Sequence, residues 1–322
     1  MLDVVMIMGY PAAGKSGLAR SYVGRTVKMG EGYTYLNRDK VGGKILDLIP
    51  LMETALSKGE NVVLDNTFPT IESRKAFIEC AKKHNAIITC EWLNTSIEDA
   101  QFNACMRMMN RKGKILSAED LKKEKSPNLF PPVVLFKYKK QFEKPTISEG
   151  FDLVAKREFN RIFPNDWTGK AIFLDYDGTL RDTISGAKWP CHPDDVKVLP
   201  NRREILDQYV RLGYMLLGVS NQSGIAKDNP VEKDAIACFE RTNNLLGLNI
   251  EYAYCPHKVP PISCFCRKPM PGMAVQFFHK YKLNPKECIM VGDVTSDKTF
   301  AKRSHMKFIH ADEFFKIPVT VW

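Results

Sequence analysis

The apolar run Val4–Met8 leads directly into Gly9-Tyr10-Pro11-Ala12-Ala13-Gly14-Lys15-Ser16, and this junction constrains the chain more than any other feature. A buried strand that ends in a glycine-rich turn and then Lys-Ser is the arrangement that cradles the phosphates of a nucleoside triphosphate. The glycines are needed because backbone N–H groups must converge on the phosphates, and a Cβ would obstruct them. In that reading Gly9, Ala12, Ala13 and Gly14 form the cradle. Lys15 supplies positive charge to the β/γ-phosphates, and Ser16 supplies a hydroxyl to Mg²⁺. ATP or another nucleoside triphosphate is the expected co-substrate.

A second apolar run, Ala171–Leu174, ends in Asp175-Tyr176-Asp177-Gly178-Thr179-Leu180. Two carboxylates at the end of a strand suit phosphoryl transfer to an aspartate: one attacks, and the other protonates the leaving oxygen and then acts as base. Asp175 is the candidate nucleophile and Asp177 the candidate acid and base. An aspartate- and glycine-rich turn is the plain alternative, and the ordered set of motifs that follows argues against it. One half of the chain reads as adding phosphate and the other as removing it.

The length of 322 residues allows two domains with separate cores. A formal charge of +10 favours a polyanionic partner such as nucleic acid, although a generic basic protein has the same balance. The first eight residues read as a strand entering the loop rather than as a signal peptide, and no apolar stretch approaches the ~20 residues of a membrane span. The nine cysteines are therefore expected to be free or metal-bound in a reducing compartment, cytoplasmic or, in a eukaryote, nuclear.

Strand-like runs at Val4–Met8, Asn61–Leu64, Ala86–Leu93, Ala171–Leu174, Met215–Val219 and Cys288–Val291 alternate with amphipathic stretches at Lys15–Val23, Ser73–His84, Ser96–Met109 and Met273–Tyr281. This alternation predicts an α/β chain of two domains, each a parallel sheet flanked by helices. The boundary is expected near Phe159–Thr168, giving domains 1–160 and 168–322. The lysine- and proline-rich stretch Lys112–Phe142 lacks clear periodicity and reads as a lid or surface excursion.

Within the first domain, Asp39 in Asn37-Arg38-Asp39 is a candidate base for a hydroxyl that is to be phosphorylated, though on local grounds it also reads as a helix cap. Asp65, closing Asn61-Val62-Val63-Leu64, stands where an acid for the nucleotide's metal would lie. Arg107 and Arg111 share one helical face and could clamp transferring phosphates; two solvated surface arginines are the alternative. Together with Val62–Pro69 and Phe136–Glu143, these residues resemble the kinase domain of polynucleotide kinase-phosphatases, most closely the animal type. The resemblance covers about residues 1–155. It implies that Asp39 activates a 5′-hydroxyl at a nucleic acid end and that Arg107 and Arg111 belong to a lid. Phage-type enzymes carry an arginine three positions after that aspartate, where this chain has Gly42.

In the second half, Leu216–Gln222 is a strand ending in Ser220, a hydroxyl able to hold a phosphate oxygen. Arg267-Lys268-Pro269 supplies a cation, and Ile289–Asp297 ends a strand in acids suited to Mg²⁺. With Asp175 and Asp177 this set resembles the haloacid-dehalogenase superfamily over residues 170–310. The resemblance implies Mg²⁺ held by Asp175, the Asp177 backbone carbonyl and Asp293, with Ser220 and Lys268 on the phosphoryl oxygens. The spans Gly178–Val219 and Asn221–Arg267 are too short for a large cap domain. Cys255, His257, Cys264 and Cys266 form two close pairs suited to tetrahedral Zn²⁺. Cys255–Met273 resembles the zinc loop of histidinol-phosphate and heptose-bisphosphate phosphatases, which implies a structural metal stapling the loop that carries Arg267 and Lys268.

The leading expectation is a bifunctional enzyme that heals DNA or RNA ends, a 5′-hydroxyl kinase joined to a 3′-phosphatase, leaving ends for a ligase to join. The alternatives are a metabolic kinase-phosphatase acting on a sugar, histidinol or nucleoside phosphate, and a nucleic-acid-binding module with an idle kinase half. Intact Lys15, Ser16 and Asp39 argue against the last.

Overall fold

The computed structural model describes residues 1–24, 32–259 and 264–316. These form two compact units, one made of Met1–Asn103 with Lys125–Arg161 and the other of Ala104–Glu124 with Ile162–Trp322. The grouping assigns Ala104–Glu124 to the second unit, whereas a single cut near residue 160 would leave it in the first.

The first unit holds one five-stranded parallel sheet: β1 (Asp3–Met8), β2 (Tyr33–Leu36), β3 (Asn61–Asp65), β4 (Ile87–Asn94) and β5 (Leu153–Glu158), in the order β2-β3-β1-β4-β5. Central β1 is apolar throughout because both faces are covered. Val4, Met6 and Met8 enter one core cluster, and Val5 and Ile7 enter the other. Each such side chain contributes roughly 1.5–3 kcal/mol of burial.

The second unit holds another parallel sheet built from β6 (Ala171–Leu174), β9 (Met215–Asn221), β10 (Glu251–Cys255), β11 (Ile289–Gly292) and β12 (Lys307–His310), ordered β10-β9-β6-β11-β12. Beside it lies a short antiparallel hairpin of β7 (Arg181–Thr183) and β8 (Val196–Val198). Ile172 and Leu174 pack on one face of β6, while Phe173 meets Phe277 and Phe278 on the other. The chain between β6 and β9 adds that hairpin and helix Arg202–Arg211, so among the described residues no large cap interrupts this fold.

All six apolar runs form strands. The sequence missed β2, β5, β10 and β12, and these are the four edge strands of the two sheets. An edge strand is covered less completely, so its residues mix polar and apolar types; Leu153–Glu158 is half exposed or exposed along its length. The stretch Lys112–Phe142, expected to be irregular, contains helices Ala118–Lys123 and Val133–Gln141. The first is started by a capping box in which the Ser117 hydroxyl accepts from Asp120 N and the Asp120 carboxylate accepts from Ser117 N. Both helices are shorter than the window in which a 3.6-residue period shows. Among the described residues, no helix is long and apolar enough to cross a membrane.

Candidate active sites

In the first unit, β1 delivers the glycine-rich loop to the carboxyl edge of the sheet, where helix Lys15–Val23 begins. Gly9 has φ +147°, and a Cβ there would stand 2.9 Å from the Leu93 carbonyl oxygen, so the turn depends on glycine. Gly14 caps the helix in the left-handed region, leaving the first helical N–H groups facing the loop. The loop is braced from outside: Thr95 Oγ1 donates to Ala13 O at 3.1 Å, and Asn103 Nδ2 donates to Ala12 O at 2.8 Å. Lys15 Nζ folds back onto the carbonyls of Gly9 and Tyr10 at 3.1 and 2.7 Å.

Asp65 ends β3, next to β1, and is 1% exposed. Its Oδ2 accepts the Tyr35 hydroxyl at 2.6 Å. Burial, with the bond to Asp65, pushes the Tyr35 phenol upward. Asp39 lies on the single-turn helix Arg38–Val41 and pairs with Arg38 at 2.5 Å. That turn is pinned to the end of β3, because Asn37 Nδ2 donates to Asp65 O at 2.6 Å and Arg38 N donates to Asn66 Oδ1 at 3.2 Å. The structure thus brings Gly9–Ser16, Asp65 and the Asp39 turn to one end of one sheet.

A cavity of about 310 Å³ opens beside the loop between Leu18, Tyr22, Leu93, Arg157 and Phe159. Arg157, itself exposed, donates twice to the buried Glu91 carboxylate, which also accepts the Tyr22 hydroxyl. The Phe136–Glu143 motif proves to be packing as well. Tyr138 lies against Tyr10 and Phe142, and its hydroxyl donates to Thr67 O. Arg107 and Arg111 lie on the part of helix Ile97–Lys112 that belongs to the second unit, the first half-buried and the second exposed.

In the second unit, Asp175 follows β6 at the carboxyl edge, with Ser220 near the end of neighbouring β9 and Asp293 just beyond β11 on the other side. Lys268 Nζ lies 2.7 Å from Asp175 Oδ1 and 2.8 Å from Asp297 Oδ1. Its backbone is fixed by Asn221, whose side chain exchanges two hydrogen bonds with Lys268 N and O. Asp175, Asp293 and Asp297 bring carboxylate oxygens within 4.8 Å of one another. Three carboxylates against one ammonium leave two uncompensated negative charges in a buried pocket, which a divalent cation would balance. Burial accordingly pushes Asp175 up to about 7 despite the neighbouring Lys268. Gly178, at φ +82°, lies so close to Asp293 that a Cβ would come within 2.4 Å of its Oδ2.

Asp177 turns its carboxylate elsewhere. Oδ1 accepts Arg181 Nε at 2.8 Å, and Oδ2 accepts Gln222 Nε2 at 3.2 Å. The same amide donates to Ser220 Oγ at 2.9 Å. Sequence reasoning did not single out Gln222, Asn221 or Arg181, and it placed Asp297 among the acids that close Ile289–Asp297 without giving it a role of its own. Asp297 had a signal, since it lies in the first turn of the helix that begins two residues after Asp293. His310 Nε2 lies 3.2 Å from the Asp293 carbonyl oxygen.

Cys255, His257, Cys264 and Cys266 converge, with their ligand atoms within 4.8 Å of one another. Cys255 Sγ lies 3.7 Å from Cys264 Sγ and 3.4 Å from His257 Nδ1, and Cys266 Sγ lies 3.2 Å from the same ring nitrogen. Mutual hydrogen bonding holds the Cys264 thiol down and pushes Cys255 up. Three sulfurs and one imidazole nitrogen this close match a tetrahedral soft-metal set. The cluster is wired to the phosphate side, because Cys255 O accepts Gln222 N at 2.8 Å. Residues 260–263 of this loop lie outside the described residues.

Residues 170–319 match the family described as polynucleotide kinase 3 phosphatase, and residues 4–123 match the AAA domain family. A bifunctional polynucleotide phosphatase/kinase from Schizosaccharomyces pombe is 33% identical over 157 residues, covering 49% of this chain and 34% of the relative. The chain thus spans about a third of that relative's length. A D-glycero-beta-D-manno-heptose-1,7-bisphosphate 7-phosphatase from Pasteurella multocida is 33% identical over 147 residues, covering 43% of this chain and 78% of the relative.

Proposed function

From the match of residues 170–319 to the polynucleotide kinase 3 phosphatase family and of residues 4–123 to the AAA domain family, we propose that the chain is a two-domain nucleic acid end-healing enzyme. Residues 1–160 form an ATP-dependent 5′-hydroxyl kinase, and residues 168–322 form a Mg²⁺-dependent 3′-phosphatase. The observation that carries this reading is the presence, in one chain, of a phosphate cradle on one sheet and an aspartate-lysine phosphoryl site on another.

In the kinase, the Gly9–Gly14 turn and Lys15 hold the triphosphate, and Ser16 and Asp65 face its Mg²⁺. Asp39 takes the proton of the 5′-hydroxyl, while Arg107 and Arg111 act from a lid. The cavity lined by Leu18, Leu93 and Phe159 receives the nucleotide's base.

In the phosphatase, Asp175 attacks phosphorus while Asp177 protonates the departing 3′-oxygen. Water then cleaves the aspartyl-phosphate and gives its proton to Asp177. Ser220 and Lys268 hold the phosphoryl oxygens. Asp175, Asp293 and the Asp177 carbonyl, with Asp297 in the same cluster, would hold Mg²⁺, which would offset charge on the transferring group. Zn²⁺ on Cys255, His257, Cys264 and Cys266 is structural and fixes the loop leading to Lys268. The healed ends are those a ligase joins, and the compartment proposed for this work is the cytoplasm or, in a eukaryote, the nucleus.

A small-molecule substrate for the phosphatase half is the competing reading, favoured by the likeness to heptose-bisphosphate phosphatases. Comparing kcat/KM for a 3′-phosphorylated oligonucleotide and a 3′-mononucleotide at two salt concentrations separates them. The net charge of +10 should give the oligonucleotide an advantage that shrinks as salt rises. Equal efficiency, or a strong preference for histidinol phosphate or a heptose bisphosphate, overturns the 3′-phosphatase reading.

A further inference from the structure

Arg181 has no part in the chemistry assigned so far, yet it is among the most deeply buried charged side chains, at 1% exposed. It opens β7 four residues after Asp177, and the tight turn between them is closed by Gly178 N donating to Arg181 O at 2.9 Å. Its guanidinium lies against the rings of Tyr176 and Phe239, 5.2 and 5.0 Å from their centroids. Nη1 donates to Thr242 Oγ1 at 3.2 Å, and Nε donates to Asp177 Oδ1 at 2.8 Å. A buried guanidinium is costly unless it is paired, and among the described residues its ion pair is with Asp177.

Each oxygen of Asp177 therefore has its own donor. Arg181 holds Oδ1, and Gln222, itself bonded to Ser220, holds Oδ2. The carboxylate is locked on a fixed bearing relative to the serine at the end of β9. The aromatic wall fixes the guanidinium, and the guanidinium fixes the carboxylate.

We propose that Arg181 is a positioning residue of the phosphatase: it aims Asp177 at the oxygen that leaves phosphorus. The inference rests on the reading of Asp177 as the acid-base group. In the first step a bond forms between an Asp175 oxygen and phosphorus, the phosphorus–ester oxygen bond breaks, and that oxygen takes the Asp177 proton. In the second step the water oxygen bonds to phosphorus, the Asp175 oxygen–phosphorus bond breaks, and the water proton returns to Asp177. Arg181 keeps its proton throughout.

The consequence depends on the leaving group. A sugar hydroxyl must be protonated as it departs, whereas p-nitrophenolate leaves without help. Because kcat/KM reports only steps up to departure, misaiming Asp177 should cost the first substrate and spare the second.

The test is kcat/KM for a 3′-phosphorylated oligonucleotide and for p-nitrophenyl phosphate, in the wild type, Arg181→Met, Arg181→Lys and Asp177→Asn. Methionine fits the aromatic wall but makes no fork. Arg181→Met is expected to fall on the order of 10²-fold on the oligonucleotide and less than about threefold on p-nitrophenyl phosphate, with Arg181→Lys between it and the wild type. Retained aryl hydrolysis itself reports a folded domain. Should Arg181→Met be inactive on both substrates through misfolding, Arg181→Lys decides by the same ratio. An equal fall on both substrates in the folded variant, or no fall on either, overturns the proposal. Asp177→Asn separates the two levels: a leaving-group split there without one at Arg181 sinks the positioning role alone, whereas no split at Asp177 sinks the acid-base reading beneath it.

Discussion

Lys268 Nζ stands 2.7 Å from Asp175 Oδ1 across 93 residues of sequence, the two brought together by the loop that Asn221 pins to β9. In the proposed mechanism this buried ammonium shields Asp175 from the charge of the incoming phosphate. Asp175→Asn removes the attacking oxygen while keeping the shape, so phosphatase turnover should fall by several orders of magnitude with kinase activity retained. A residual rate within about tenfold of wild type would show that another group attacks.

Magnesium binding should depend on pH. Burial raises Asp175 from 3.8 to about 7, so the folded chain holds a proton there that the unfolded chain has released. That group therefore weakens stability progressively as pH rises from about 4 to about 7, and Mg²⁺ must displace its proton below about pH 7. The Mg²⁺-induced rise in Tm should be larger at about pH 8 than at about pH 5.5, and Asp175→Asn should lose this dependence. An equal shift at both pH values contradicts the coupling.

The purified protein should hold about one Zn²⁺ per chain on Cys255, His257, Cys264 and Cys266. Such sites contribute on the order of 10 kcal/mol of apparent binding energy to local folding. Removing the metal should reduce the phosphatase more than the kinase, since the set is bonded to Gln222 and leads into Lys268. Elemental analysis that finds no zinc, or zinc that persists after paired Cys255→Ser and Cys264→Ser changes, counts against it.

Arg74 is fully buried and makes a two-pronged pair with Glu149, while Nη1 donates to the carbonyls of Phe68 and Glu143. Arg74→Met leaves a nearly buried carboxylate without its cation, so the first unit should lose about 3–5 kcal/mol in urea unfolding. A loss below about 1 kcal/mol would show that the pair adds little.

The central strands and both phosphate loops were legible because their signals are local: a continuous apolar run, then glycines or aspartates at fixed spacing. The edge strands were not, since Leu153–Glu158 and Lys307–His310 mix polar and apolar residues. In the sites, the residues proposed to react lie in local motifs, and many of the side chains bonded to them do not. Tyr35 holds Asp65, and Gln222 joins Ser220 to Asp177. Such relations link residues far apart in sequence, which no motif spacing encodes.

One oligonucleotide carrying a 5′-hydroxyl and a 3′-phosphate, incubated with ATP and Mg²⁺ and resolved on a denaturing gel, tests the account most directly. The wild type should add phosphate at the 5′ end and remove it from the 3′ end. Lys15→Ala and Asp39→Ala should lose only the first reaction, and Asp175→Asn only the second. Neither end changing, while a heptose bisphosphate or histidinol phosphate is hydrolysed efficiently, would contradict the end-healing account.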